Sequence, residues 1–234
     1  MSMRLLFVLV CFAAQLLFFI SVSHVKAELG IVPLVIGEKQ VDALSLGDRQ
    51  FYFRLLGFKI QNAGDSFGRF TALREYDYTK LEQWFYLLDK IDSASDFIPT
   101  LAGHYFSQTQ NNKDVIHIVN YLRNHAKKDL SKKWWWLIQA AFLADTRLDD
   151  KNLALEISYE ITQLPDDAPP WAKYFPSIIL AQIGDKRKAE EVMKMLVNNY
   201  DDISEQEWRF IKYFIQDRLG GSYDTSMQKR SGNL

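Results

Sequence analysis

The sequence predicts an all-α chain: a right-handed stack of antiparallel helical hairpins preceded by an N-terminal transmembrane or signal helix. Two observations carry this. Across residues 97–200 one pattern repeats three times: an apolar helical stripe, a short polar turn, a second stripe, then a Pro- or Lys-rich break. The turns Gln110-Asn111-Asn112, Asp149-Asp150-Lys151 and Gly184-Asp185-Lys186 fall roughly 35 to 39 residues apart, within the range of helical solenoids. The other observation is residues 5–22, LLFVLVCFAAQLLFFISV, which carry no charge. As a helix they measure roughly 27 Å, close to the hydrocarbon thickness of a bilayer.

The N-terminal segment, 1–27, gives the chain an address. After the apolar run, Val25 and Ala27 stand at the minus-three and minus-one positions of a signal-peptide cleavage region. The run is longer than the usual apolar region of a signal peptide, about 7 to 15 residues, and so favours an uncleaved anchor. The expected location is therefore the cell inner membrane, single-pass, with the C-terminal domain outside the cytoplasm. The alternative is cleavage after Ala27 and a periplasmic or secreted chain. The single cysteine, Cys11, lies within the apolar run, so the rest of the chain holds no thiol and forms no intramolecular disulfide.

Residues 28–40, with Gly30, Pro33 and Gly37, read as a linker, and residues 41–220 as the helical-repeat domain. Its first hairpin covers about 41–91. One helix over 41–61 places Leu44, Phe51, Leu55 and Phe58, widened by Tyr52 and Leu56, on a single apolar face, weakened but not stopped by Gly47 and Gly57. Asn62-Ala63-Gly64-Asp65 ends it, and an irregular stretch runs to about Asp77. The helix over 78–91 aligns Leu81, Trp84, Phe85, Leu88 and Ile91.

The second hairpin, 97–126, sets Leu101, Ala102, Tyr105 and Phe106 against Val115, Ile118, Val119, Leu122 and Ala126. The third, 133–164, sets Trp134, Leu137, Ile138 and Ala141 against Ala154, Ile157, Ile161 and Leu164. The fourth, 171–199, sets Trp171, Tyr174, Phe175 and Ile178 against Ala189, Val192, Met193 and Leu196, with Pro176 predicting a kink or a late start. A capping helix over 204–219 opens on the Ser204/Glu207 capping box and presents Trp208, Ile211, Phe214, Ile215 and Leu219. Residues 221–234 read as a disordered tail.

Ile183-Gly184-Asp185-Lys186-Arg187-Lys188-Ala189-Glu190-Glu191-Val192-Met193 resembles the turn and second helix of a tetratricopeptide repeat, and Ala154-Leu155-Glu156-Ile157 through Leu164-Pro165 is similar. The resemblance covers roughly 97–203. The repeats are degenerate: the third hairpin's turn is short, the fourth lacks a large residue at the aromatic knob, and Val115 replaces the usual alanine. The whole also resembles N-terminally anchored helical-repeat proteins of bacterial envelopes. The hairpin periodicity and the export segment together predict a scaffold that binds an envelope protein or peptide, and the lack of a catalytic motif predicts that it is not an enzyme.

Composition narrows the chemistry. Of 234 residues, 48% are hydrophobic and the net charge is −1, which offers no basic face for nucleic acid. His24, His104, His117 and His125 make no HExxH pattern, and the last two lie about two turns apart, so neither a metal nor a cofactor is expected. The paired aspartates Asp149-Asp150, Asp166-Asp167 and Asp201-Asp202 read as turn caps. The Lys127-Lys128 and Lys132-Lys133 pairs read as a solvated link between hairpins. No nucleophile elbow or phosphate loop is present; Glu75 and Asp77 are the residual carboxylates for an envelope hydrolase, and the many aromatics leave a carrier of an apolar small molecule as a further alternative.

Trp134-Trp135-Trp136 is the most unusual local signal. Successive helical residues turn by about 100°, so three adjacent indoles do not share a face. The outlying ring either packs on the neighbouring hairpin or lines an exposed groove as a binding anchor, and Trp135 is the candidate, with Gln139 one turn later.

Overall fold

The structure is a computed structural model, and it describes residues 3–23, 30–66, 69–164, 170–198 and 203–221. The expected cleavage region with His24, the Asp166-Asp167 and Asp201-Asp202 turns, and the tail beyond Gly221 lie outside the described residues. The chain is all-α apart from one short antiparallel pair, β1 (Asp65–Ser66) and β2 (Arg69–Phe70).

Helix α1 (Met3–Val22) is long and apolar enough to cross a membrane, and none of its residues is buried. Residues 30–37 are extended but held down: Val32 is buried, and the Pro33 carbonyl accepts a hydrogen bond from Trp84 Nε1 at 2.9 Å.

The helix expected over 41–61 is two helices, α2 (Glu38–Leu44) and α3 (Arg49–Gln61). Leu46 (φ 50°) and Gly47 (φ 93°) both take left-handed backbone, which no α-helix continues through. Asp48 then opens α3 afresh, its carboxylate accepting from Phe51 N–H at 2.8 Å. The buried side of α3 is Phe53, Leu56, Gly57 and Ile60, whereas Leu44, Phe51, Leu55 and Phe58 face out. Of the expected core stripe, Leu56 is buried and Tyr52 partly so, while its other four residues form the exterior. Phe97 lies over Gly57, close enough that a Cβ there would stand 2.6 Å from its ring, so any side chain at that position would have to displace the ring.

Helix α4 (Tyr78–Ile91) is capped by Asp77 and buries Leu81, Trp84, Phe85 and Leu88 as its spacing predicts. The next helical stretch begins as α5 (Phe97–Thr100) and passes through a π turn, Leu101–Tyr105, and a 3₁₀ turn, Phe106–Gln108. A π turn closes i to i+5, so Phe106 keeps the inward direction of Leu101 and Tyr105 is rotated out to the surface. Tyr105 is thus not the core residue the regular helical period predicts.

Helices α6 (Val115–Lys127), α7 (Leu130–Thr146) and α8 (Lys151–Ile161) follow, and α7 packs between α6 and α8. The short α9 (Pro170–Lys173) precedes α10 (Phe175–Gln182), which starts late with Pro176 in its first turn. α11 (Lys186–Asn198) pairs with α10, and α12 (Glu205–Tyr213), extended by a second π turn over Phe214–Leu219, closes the chain. Both halves of the Ser204/Glu207 capping box are formed. Asp149 (φ 55°), Gly184 (φ 90°) and Gly220 (φ 72°) follow the ends of α7, α10 and the last π turn in left-handed conformation.

Buried side chains form two groups. One runs from Val32 through α3–α8 to Ile179; the other joins Tyr174, Leu180 and α11 to all five predicted inward residues of the last helix. Between α4 and α8, most side-chain bonds that join different helices link residues a similar distance apart in sequence, from 33 for Arg123–Glu156 to 40 for Trp136–Asp96, while Tyr78 Oη reaches the Phe106 carbonyl across 28.

Candidate functional site

Helix α7 is covered on three sides. It packs against α6, α8 and the π turn, and residues 136–138, 140–141 and 143–145 are buried. What remains is a narrow strip. At about 100° per residue, Trp135, Gln139, Phe142 and Thr146 fall within roughly 60° of one another, on the side where the helix is exposed. Trp135 is 43% exposed and Phe142 47%, with Gln139 half-buried between them.

The three indoles divide as their geometry requires, but not in the expected order. Trp136 is the buried one: its Nε1 donates to Asp96 Oδ1 at 3.1 Å and its ring meets His104 edge-on at 6.1 Å. Trp134, expected in the core, is half-buried and reaches α9, edge-on to Trp171 at 5.8 Å. Trp135 leans on Trp134 at 6.1 Å and leaves its other face to solvent.

Gln139 is positioned by Gly103 of the π turn. A Cβ at Gly103 would lie 3.5 Å from Gln139 Cγ and 3.6 Å from Trp136 Cζ3, ordinary packing distances, so the aliphatic part of Gln139 rests on that glycine. Its carboxamide carries both donor and acceptor capacity, the pair of functions a peptide backbone presents. The half-exposed Trp171 continues the aromatic surface beyond Trp134, whereas Tyr105, turned out by the π turn, lines a separate cleft with Tyr76. Phe142 is not among the residues the sequence singled out. It stands seven residues after Trp135, and its spacing alone places it on the strip.

Behind the strip the helices are joined by polar pairs. His117 Nδ1 meets Glu82 Oε2 at 2.6 Å, Asn124 donates to Tyr86 at 2.7 Å, and His125 Nδ1–H donates to Asp89 Oδ1 at 2.7 Å. Lys128 Nζ reaches the other Asp89 oxygen at 2.6 Å. Burial by itself raises the Asp89 pKa, but the hydrogen bonds from His125 and Lys128 together outweigh it and hold the carboxyl below the usual aspartate range. Glu160 is governed the same way, burial opposed by Arg123 and Lys127. His104, His117 and His125 are thus each engaged within the fold. Among the described residues no three His, Cys, Asp or Glu side chains gather where they would hold a metal ion.

The lysine pairs prove to be more than a solvated link. Lys127 binds Glu160, Lys128 binds Asp89, and Lys133 Nζ donates to the Ser93 carbonyl at 2.6 Å. Lys128 and Lys133 wall a cleft of about 430 Å³ with Ser93, Asp96, Asp129 and the exposed Lys132. A smaller cleft of about 230 Å³ lies between Gln61, Asp65, Thr71 and Tyr76. Glu75 and Asp77 line neither; Asp77 accepts from Lys80 N–H at 3.1 Å as the cap of α4.

No family model, curated protein or solved structure matches this chain.

Proposed function

We propose that the chain is a non-catalytic scaffold, held in the inner membrane by α1 with its remaining helices outside the cytoplasm, that binds a protein or peptide of the envelope along the Trp135 strip. The body is read as a right-handed stack of degenerate tetratricopeptide-like hairpins. Support for the stack comes from the bonds whose partners lie 33 to 40 residues apart, because equivalent positions of successive repeats meet at one repeat length.

The observation that carries the binding role is the strip itself: two large aromatic residues left half in solvent around one carboxamide. Burying such rings against a partner gains affinity that burying them in the fold does not, and aromatic anchors dominate many interfaces. Loss of one anchor typically costs about 2 to 4 kcal/mol, roughly 30- to 1000-fold in affinity.

A photo-reactive amino acid at Thr146, on the strip, tests this in cells against one at Arg187 on α11. A discrete adduct is expected from Thr146 only, and it should vanish in Trp135→Ala and Phe142→Ala, which leave thermal stability within about 1 kcal/mol because both rings are partly exposed. Adducts that are the same from both positions, or that survive both substitutions, would sink the assignment.

A further inference from the structure

Helix α3 has two apolar sides and only one of them faces protein. Phe53, Leu56, Gly57 and Ile60 are buried on the core side. Phe51, Leu55 and Phe58, at spacings of four and three residues, form a second stripe roughly opposite, and they are 63%, 47% and 64% exposed. Leu44 and Leu46, just before the helix, are exposed as well. This outer stripe is bordered by cations. At about 100° per residue, Arg54 and Lys59 stand roughly 70° to either side of its centre. Neither makes an ion pair among the described residues, whereas nearby Arg49 is paired with Asp42 at 3.3 Å.

We infer that this outer face of α2–α3 lies on the bilayer surface, with Phe51, Leu55 and Phe58 among the upper acyl chains and Arg54 and Lys59 at anionic headgroups. The inference rests on reading α1 as membrane-embedded. Three features favour lipid as the occupant. Phe and Leu backed by flanking cations are the composition of interfacial helices, in which long basic side chains keep their stems in the apolar layer and their charges at the headgroups. The cations match the negative surface of anionic lipid. The face also begins close to α1 in sequence: fifteen or so residues separate Val22 from Glu38, a tether of at most about 50 Å, so α2 and α3 never leave the reach of the bilayer that holds α1. Such a contact gives the body a fixed seat and orients the Trp135 strip relative to the membrane.

Spin labels on the full-length chain test it, in vesicles of phosphatidylcholine and phosphatidylglycerol. The label sits at Phe58→Cys in a Cys11→Ser background, with Tyr213→Cys on α12 as the aqueous reference and the native Cys11 as the reporter of α1. A label at 58 that meets dissolved oxygen several-fold more than a water-soluble nickel complex, with the reverse at 213, is the expected result. Its bias should diminish in Arg54→Glu/Lys59→Glu and in vesicles of phosphatidylcholine alone. A label at 58 that behaves as at 213 overturns the inference; if the Cys11 label is then lipid-exposed, the anchor stands and only the seat falls, and if it is aqueous both fall. A label at 58 shielded from both reagents also overturns it, since another protein surface or a second copy covers the face.

Discussion

Asp89 shows how one residue can hold a helix seam. Its carboxylate is buried between α4 and α6 and carries His125 on one oxygen and Lys128 on the other. A carboxyl whose pKa is lowered on folding adds stability above its unfolded value, about 3.9, and loses it as pH falls through the folded value. Asp89→Asn should therefore unfold at lower denaturant near neutrality, by about 2 to 3 kcal/mol, the range for losing charged hydrogen bonds. The gap between the two proteins should close in acid, and denaturant titrations across that range check both parts. None of this seam was legible in the sequence, because its partners lie 36 and 39 residues apart and only the packing of α4 on α6 brings them together. Trp135 was legible for the opposite reason: three adjacent indoles on one helix force one outward by local geometry alone.

Periodicity reports that a helix has an apolar side, not which side the protein covers. In α4 the two coincide, and Leu81, Trp84, Phe85 and Leu88 are buried as their spacing predicts. In α3 both sides are apolar, so the stripe through Phe51, Leu55 and Phe58 looked like core while the true core side, interrupted by Gly57, looked weaker. The π turn misled in another way, since it changes the period itself. Turns are more dependable. Asp149 and Gly184 take the same left-handed backbone at the ends of α7 and α10, and a Cβ at Gly184 would meet nothing within 4 Å. The conformation alone thus sets the cost there: Gly184→Ala should lose about 1 to 2 kcal/mol, and Asp149→Gly should be neutral or stabilising by up to about 1. Thermal unfolding of the two variants checks the pair.

Across the whole molecule the two buried groups predict uneven stability. Ile211 is fully buried in the C-terminal group, which draws on α10, α11 and the last helix. Ile211→Ala, a cost of about 2 to 4 kcal/mol, should lower hydrogen-exchange protection in α10–α12 while α4, α6 and α7 keep theirs. Equal loss throughout would mean that the two groups unfold as one. The break at Leu46 bears on handling rather than on stability. A large aliphatic side chain, 92% exposed on left-handed backbone, adds to the Phe51, Leu55 and Phe58 stripe on the outside of the body. Cutting away α1 therefore does not yield a conventionally water-soluble fragment: the shortened chain keeps an oily collar, and mild detergent belongs in its buffer from the first purification step.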